Sequence, residues 1–188
     1  MATALIGGLR RQGMAGAQIR VVEPLVEQGA RLQSQWGVKV HSSAGAELAE
    51  AELVVWAVKP QMFAQAAEQA RPHTRSALQL SVAAGIGTDT LARWLASERI
   101  VRAMPNTPAL IGRGITGLYA RPAVSASERD AIGAVIAPTG PGLWLDREDL
   151  LDAVPPRRRW PWPSRSPPAP PSRSLPRRTA ARGCCCAG

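Results

Sequence analysis

The 188 residues give room for one domain of ordinary size, and 45% hydrophobic content is enough for a core. No apolar run approaches the roughly 20 residues that a membrane helix needs, which excludes a membrane-spanning helix, and nothing in the pattern fits collagen or coiled coil. The formal charge of +9 is uneven: residues 1–154 carry 15 basic and 14 acidic residues, whereas residues 155–188 carry eight Arg and no acid, so the basicity belongs to a tail.

Up to Val154 strand-like and helix-like segments alternate. Thr3–Gln12 reads as an amphipathic helix closed by Gly13, with Arg10 and Arg11 after the apolar stretch rather than before it, unlike a signal peptide. Ile19–Glu23 reads as a short strand. Pro24 suits the first turn of a helix that runs to Trp36 and stops at Gly37. Val38–His41 is a further strand, and Ser42 or Ser43 is placed to cap a short helix through Glu50. Leu53–Val58, LVVWAV, is a continuous apolar run, as in a strand covered on both faces. Then follow helix Gln61–Ala70, strand Ala77–Ala84, and a helix capped by Thr88 or Asp89 and ending at Leu95. Strand Ile100–Met104 is halted by Pro105. Strand Ile115–Tyr119, helix Ser125–Val135, strand Leu143–Leu145 and a last turn capped by Asp146 complete the body. Strands alternating with helices of about ten residues predict a parallel α/β sheet.

From Pro155 the composition changes abruptly. Residues 155–188 contain nine Pro and eight Arg, and Leu175 is their one aliphatic residue larger than Ala. Such a segment buries too little apolar surface to offset the entropy of ordering it, so disorder with stretches of polyproline II is expected. The three cysteines, Cys184, Cys185 and Cys186, all lie there. Adjacent and without a partner histidine, they do not offer the spacing of a zinc site, and the body has no disulfide framework. Trp160 and Trp162 beside Arg157–Arg159 leave a second reading open, a genuine Arg/Trp tail that stacks on single-stranded bases or meets an anionic surface.

In open parallel sheets, ligands bind beyond the carboxyl ends of the strands. Three turns stand there: Ala57-Val58-Lys59-Pro60, Ala83-Ala84-Gly85, and Met104-Pro105-Asn106-Thr107. Small residues, Gly and Pro let a flat ligand approach the backbone. Lys59 adds a cation, and the Asn106 amide could pair with a carboxamide. Solvated lysine and ordinary turn punctuation are the plain alternatives for each turn taken singly.

Taken together and in order, VVWAVKPQ, SVAAGI, VRAMPNTPAL, GITGLYA and LWLDREDLLDAV resemble the pyrroline-5-carboxylate reductases over Met1 to Val154. The resemblance implies a doubly wound, Rossmann-like α/β domain at residues 1–154, a cytoplasmic enzyme of proline biosynthesis, and NADP or NAD as cofactor. The reaction is hydride transfer to the C=N bond of 1-pyrroline-5-carboxylate, giving L-proline. It implies that Ala57, Val58, Lys59 and Pro60 line the ribose and nicotinamide side. Ala83, Ala84 and Gly85 would form a wall near the ring, and Met104, Pro105, Asn106 and Thr107 the substrate edge. Glu23, ending its strand where the adenosine ribose should lie, can bind the 2′-hydroxyl and would repel a 2′-phosphate, which favours NAD. The catalytic residue stays unassigned, no metal is implied, and a homo-oligomer without nucleic-acid or membrane partners is expected of the family.

The resemblance also marks departures. Family members open with a strand and a GxxGGGNM turn. Here Met1 falls on the methionine ending that turn and Ala2–Leu9 match the following helix, so the first strand is expected to be missing. Gly7 and Gly8 lie inside the helix and are expected to serve close packing on the sheet. At the other end PPRRRWPWP stands where the family continues with TxxSGSGPAY, which reads as an out-of-frame or truncated product. A chain so truncated is expected to be poorly soluble, inactive and unable to bind dinucleotide. The alternative is a non-catalytic binding or interaction fragment with a basic Arg/Trp tail.

Overall fold

The structure is a computed structural model and describes residues 1–106, 114–152 and 183–187. Helix α1 (Ala2–Arg11) comes first. Strand β1 (Ile19–Val22) and helix α2 (Val26–Trp36) follow, the helix ending at left-handed Gly37. Next come β2 (Lys39–His41), β3 (Leu53–Ala57), α3 (Pro60–Thr74), β4 (Leu78–Ser81) and α4 (Thr88–Leu95). Then β5 (Ile100–Pro105), β6 (Thr116–Ala120), α5 (Ala126–Ile136), β7 (Gly142–Trp144) and α6 (Asp149–Asp152) complete the body, and β8 (Gly183–Ala187) lies in the tail. The strands form one sheet in the order β2-β1-β8-β3-β4-β5-β6-β7. All neighbours are parallel except β5 and β6.

The alternation of β3 divides the core. Leu53 and Val55 face a cluster with Leu5, Ile6 and Leu9 of α1, Leu32 of α2, and Ile132 and Val135 of α5. Val54 and Trp56 face a second cluster with Phe63 and Ala67 of α3 and Leu91 and Leu95 of α4. This is why LVVWAV has no polar residue: helices cover both faces. On the second face the Trp56 Nε1–H donates to Gln79 Oε1 at 2.8 Å. Gln79 Nε2 in turn donates to the carbonyls of Thr74 and Ala77 at 2.8 and 3.2 Å. Gln79 thus satisfies carbonyls at the end of α3, which extends past the expected Ala70 and through Pro72.

Other expectations are corrected. The segment after Ser42 and Ser43 is a short 3-10 turn, Ala46–Leu48, whose cap position is Gly45 rather than either serine. Helix α4 begins after Gly87, and neither Thr88 nor Asp89 caps it; the Thr88 N–H donates instead to Glu148 Oε1 at 2.7 Å. Gly7 and Gly8 admit neighbours other than the sheet: a Cβ on Gly7 would lie 2.7 Å from the Trp36 ring, and one on Gly8 2.1 Å from Pro138. Residues 183–187 form β8, which lies between β1 and β3, where the family's first strand is expected. Trp160, Trp162 and Arg157–Arg159 lie outside the described residues.

Ser125 caps α5 reciprocally, as its spacing to Glu128 requires: the Glu128 N–H donates to Ser125 Oγ at 3.3 Å and the Ser125 N–H to Glu128 Oε2 at 2.8 Å. Arg99 Nε adds a bond to Glu128 Oε1 at 2.8 Å. Burial pushes the Glu128 carboxyl up, but the Ser125 N–H, the Arg99 guanidinium and the Ser125 hydroxyl together outweigh it and hold the group below the ordinary range. A carboxyl depressed in the folded state contributes stability that is present above its unfolded pKa, about 4.3, and is lost as pH falls through the lower folded value. Glu128→Gln should therefore flatten the acid limb of the stability profile below about pH 4.3, read from urea midpoints at a series of pH values. An unchanged acid limb would show that Glu128 does not set it.

Candidate dinucleotide site at the carboxyl edge

The register brings the expected residues to one edge. Val22 of β1 pairs with Cys186, Cys186 with Trp56 of β3, Trp56 with Ser81 of β4, and Ser81 with Arg102 of β5. Glu23, Ala57–Pro60, Ala83–Gly85 and Met104–Asn106 follow that row within four residues, so all leave the sheet at its carboxyl edge. Thr107 lies outside the described residues.

Glu23 is 2% exposed. Its backbone N–H donates to the His41 carbonyl at 2.9 Å, and its Oε1 accepts the Leu25 N–H at 2.9 Å. That turn bond fixes the carboxyl against the start of α2. The second oxygen, Oε2, is buried with no hydrogen-bond partner among the described residues. Buried polar atoms are nearly always satisfied, so this one points to a hydroxyl or amino group supplied from outside. Gly29 lets the helix approach here: a Cβ on it would lie 2.9 Å from Val40.

Ala57 is half-buried and Val58 buried, while Lys59 and Pro60 are exposed. Lys59 occupies the cap position of α3 and Pro60 its first turn, where a missing N–H costs nothing. Ala83 is buried, and Ala84 and Gly85 are exposed. Gly85 takes φ +75°, a conformation that a side chain would strain. Together these turns leave a low, backbone-rich surface, which suits a flat ligand.

Asn106 also holds the chain at this edge. Its Oδ1 accepts the Ile115 N–H at 3.1 Å, and its own N–H donates to the Ile115 carbonyl at 3.3 Å. It pins the two ends of the 107–113 connection together. One lone pair of its carboxamide oxygen is therefore engaged within the chain, and the second lone pair and the amide N–H groups remain to meet a ligand.

Sequence reasoning missed Arg102 and Glu148. Arg102, on β5, is 1% exposed, and its Nη1 lies 3.1 Å from Glu148 Oε1. The same carboxylate oxygen accepts the Thr88 N–H at the start of α4. The segment before α6 is thereby tied to the strand leading into Met104-Pro105-Asn106 and to the helix following Gly85. An arginine inside VRAMP was the available signal, because a charged residue in an otherwise apolar strand needs a partner. A cavity of about 350 Å³ lined by Arg10, Arg11, Gln35, Trp36 and Gly37 lies at the C-terminal ends of α1 and α2, away from the carboxyl edge.

Comparison with known proteins agrees with this geometry. The family described as NADP oxidoreductase, coenzyme F420-dependent, matches residues 1–85. The pyrroline-5-carboxylate reductase of Pseudomonas aeruginosa is 42% identical over 156 residues, covering 82% of this chain and 57% of that protein. That of Haemophilus influenzae is 36% identical over the same shares. A solved structure of a pyrroline-5-carboxylate reductase from Coxiella burnetii superposes with a TM-score of 0.75 at 28% identity, covering 80% of this chain and 57% of that one. The chain therefore spans somewhat more than half the length of the relatives that it matches. Over that span, with its α/β sheet, the chain is similar to the pyrroline-5-carboxylate reductases.

Proposed function

We propose that this chain provides the NAD(P)H-binding part of a pyrroline-5-carboxylate reductase. The reaction is reduction of the C=N bond of 1-pyrroline-5-carboxylate to L-proline, the last step of proline biosynthesis, in the cytoplasm. The observation that carries the reading is the buried Oε2 of Glu23 at the end of β1, unpartnered among the described residues. It fits the hydroxyl of an adenosine ribose, and the low surface formed by Ala57–Pro60 and Ala83–Gly85 fits a flat ring system further along the edge. A nicotinamide cofactor bound there would supply a hydride to the imine carbon while the nitrogen takes up a proton.

The chain's own residues would bind and orient. Glu23 would accept a ribose hydroxyl, and Lys59 at the mouth of α3 would offer a cation to phosphate. Ala83, Ala84 and Gly85 would set the depth of the ring's approach. Asn106, by pinning the 107–113 connection, would hold Met104 and Pro105 at the substrate edge, where Thr107 is also expected. The proton donor would come from elsewhere in the assembled enzyme, which in this family is expected to be a homo-oligomer without nucleic-acid partners. The expectation that the chain binds no dinucleotide rests on the missing first strand and GxxGGGNM turn, and β8 stands in the place of the strand.

Fluorescence titration with NADH and NADPH tests the reading. Saturable binding of NADH is expected, with NADPH weaker by about tenfold, equivalent to about 1.4 kcal/mol. Glu23→Ser should bring the two affinities together or reverse their order. An unchanged ratio would remove Glu23 from the ribose site, and no binding of either cofactor would sink the proposal.

A further inference from the structure

Glu148 stands between two of the turns at the carboxyl edge, and both its oxygens are engaged there. Oε1 accepts the Thr88 N–H at 2.7 Å and lies 3.1 Å from Arg102 Nη1, and Oε2 accepts the Thr88 hydroxyl at 2.5 Å. That hydroxyl accepts in turn from Arg121 Nη1 at 3.5 Å, which leaves its proton for Glu148. Thr88 opens α4 three residues after Gly85, and Arg102 lies on β5 two residues before Met104. Ser81 pairs with Arg102, so the two turns leave neighbouring strands side by side. The strand-side end of the first turn is held separately, by the Ala83 N–H donating to Ser81 Oγ at 3.3 Å. Its helix-side end is held by Glu148. A Cβ on Gly87 would lie 3.6 Å from Glu148 Oε1, so the carboxylate rests close to the backbone of the turn itself.

Resting on the dinucleotide reading above, we propose that Glu148 is a positioning residue for the nicotinamide half of the cofactor. It fixes the separation of the Ala83–Gly85 turn from the Met104–Asn106 turn, and so acts on the ring without touching it. A buried ion pair returns little net stability compared with apolar residues of the same volume, because desolvation offsets the attraction. What it adds is direction. Apolar surfaces slide past one another at small cost, whereas charge-assisted hydrogen bonds hold both length and angle. With Arg102 buried in β5 and the Thr88 N–H fixed at the start of α4, the carboxylate has one place to stand. The adenosine half belongs elsewhere. Glu23 ends β1, which is separated from β4 and β5 by β8 and β3. Loss of the Glu148 bonds therefore acts on one half of the cofactor and leaves the other.

ADP-ribose carries the adenosine and both phosphates of NADH but lacks the nicotinamide, so comparing the two isolates the ring. Calorimetric titration of the full chain with each ligand would be set beside the same titrations of two variants. Arg102→Met with Glu148→Gln removes both charges and strands neither. Thr88→Val removes only the hydroxyl bond to Oε2 and decides the matter should the double variant not fold. The double variant should bind NADH about tenfold more weakly, the scale on which residues that touch no ligand modulate a distant site. Its affinity for ADP-ribose should stay within about twofold of the parent, as for an independent site. Thr88→Val should move in the same direction by less. Equal weakening of both ligands would reduce Glu148 to general support of the fold and overturn the proposal, as would an unchanged affinity for NADH. A parent chain that binds ADP-ribose as tightly as NADH would overturn the positioning role and leave the Glu23 assignment standing. A parent that binds neither would remove the dinucleotide reading, and this proposal with it.

Discussion

Truncating Trp56 to alanine should destabilise the fold by about 3–5 kcal/mol, a large part of the 5–15 kcal/mol that holds a typical domain together. Trp56 is fully buried in the middle of the sheet, and its ring lies 4.9 Å from that of Phe63, which lies 5.8 Å from that of Trp94. Removing it opens a cavity between β3, α3 and α4 and takes the donor from Gln79 Oε1, which is buried and has no route to water. Trp56→Phe separates the two effects. It keeps an aromatic ring beside Phe63 and should cost about 1–3 kcal/mol for the unsatisfied Gln79 oxygen together with a smaller packing loss. Urea midpoints for the two variants and the parent decide this. If Trp56→Ala melts with the parent, β3 is not the packed centre of the fold.

Arg102→Ala should be nearly as damaging, for an electrostatic reason. Breaking a buried ion pair by removing one partner costs about 3–5 kcal/mol, because the remaining charge keeps its desolvation penalty without its counter-charge. Here the remaining group is Glu148, partly relieved by the Thr88 N–H and hydroxyl. The drop in Tm should be roughly 6–20 °C at 2–4 °C per kcal/mol for a domain of this size. Arg102→Met fills much of the same volume without charge. In combination with Glu148→Gln it should recover a good part of the loss, since an apolar replacement of a whole buried pair is often close to neutral. A double variant no better than Arg102→Ala would assign the cost to lost packing rather than to the stranded carboxylate. Because the same contacts tie β5 to the start of α4, both variants should also loosen the turns at Gly85 and Asn106.

Much of this was legible in the sequence, wherever local chemistry decides. LVVWAV declared a strand covered on both faces, Gly37 closed α2, and a helix was expected from Ser125, where α5 opens. What was not legible depends on partners far along the chain. The cap of α4 comes from Glu148, sixty residues away, so Thr88 and Asp89 could only be misread as caps. Helix α3 continues through Pro72 to Thr74, whose carbonyl accepts from Gln79, a contact that no propensity reveals. The bond from Ile115 to the Asn106 side chain forms only on folding. The place of Glu23 at the end of its strand was legible, but the lack of a partner for its Oε2 among the described residues is a product of burial. Least legible was β8. Gly-Cys-Cys-Cys-Ala has no alternation and no β-branched residue, and its pairing with β1 and β3 spans most of the chain.

That strand order also fixes when the sheet can close during synthesis. Residue 57 ends β3, and β8 begins at residue 183, so 125 residues are added in between. At 5–20 residues per second this takes on the order of ten seconds. Through that interval β1-β2 and the β3-to-β7 group each have an apolar inner edge and, among the described residues, no strand between 58 and 182 that pairs with it. Two half-sheets from neighbouring nascent chains on one message meet the same need, and each offers the other a ready template. Yield should therefore fall with the density of ribosomes on the message, even where the finished chain, diluted and refolded, closes its own sheet.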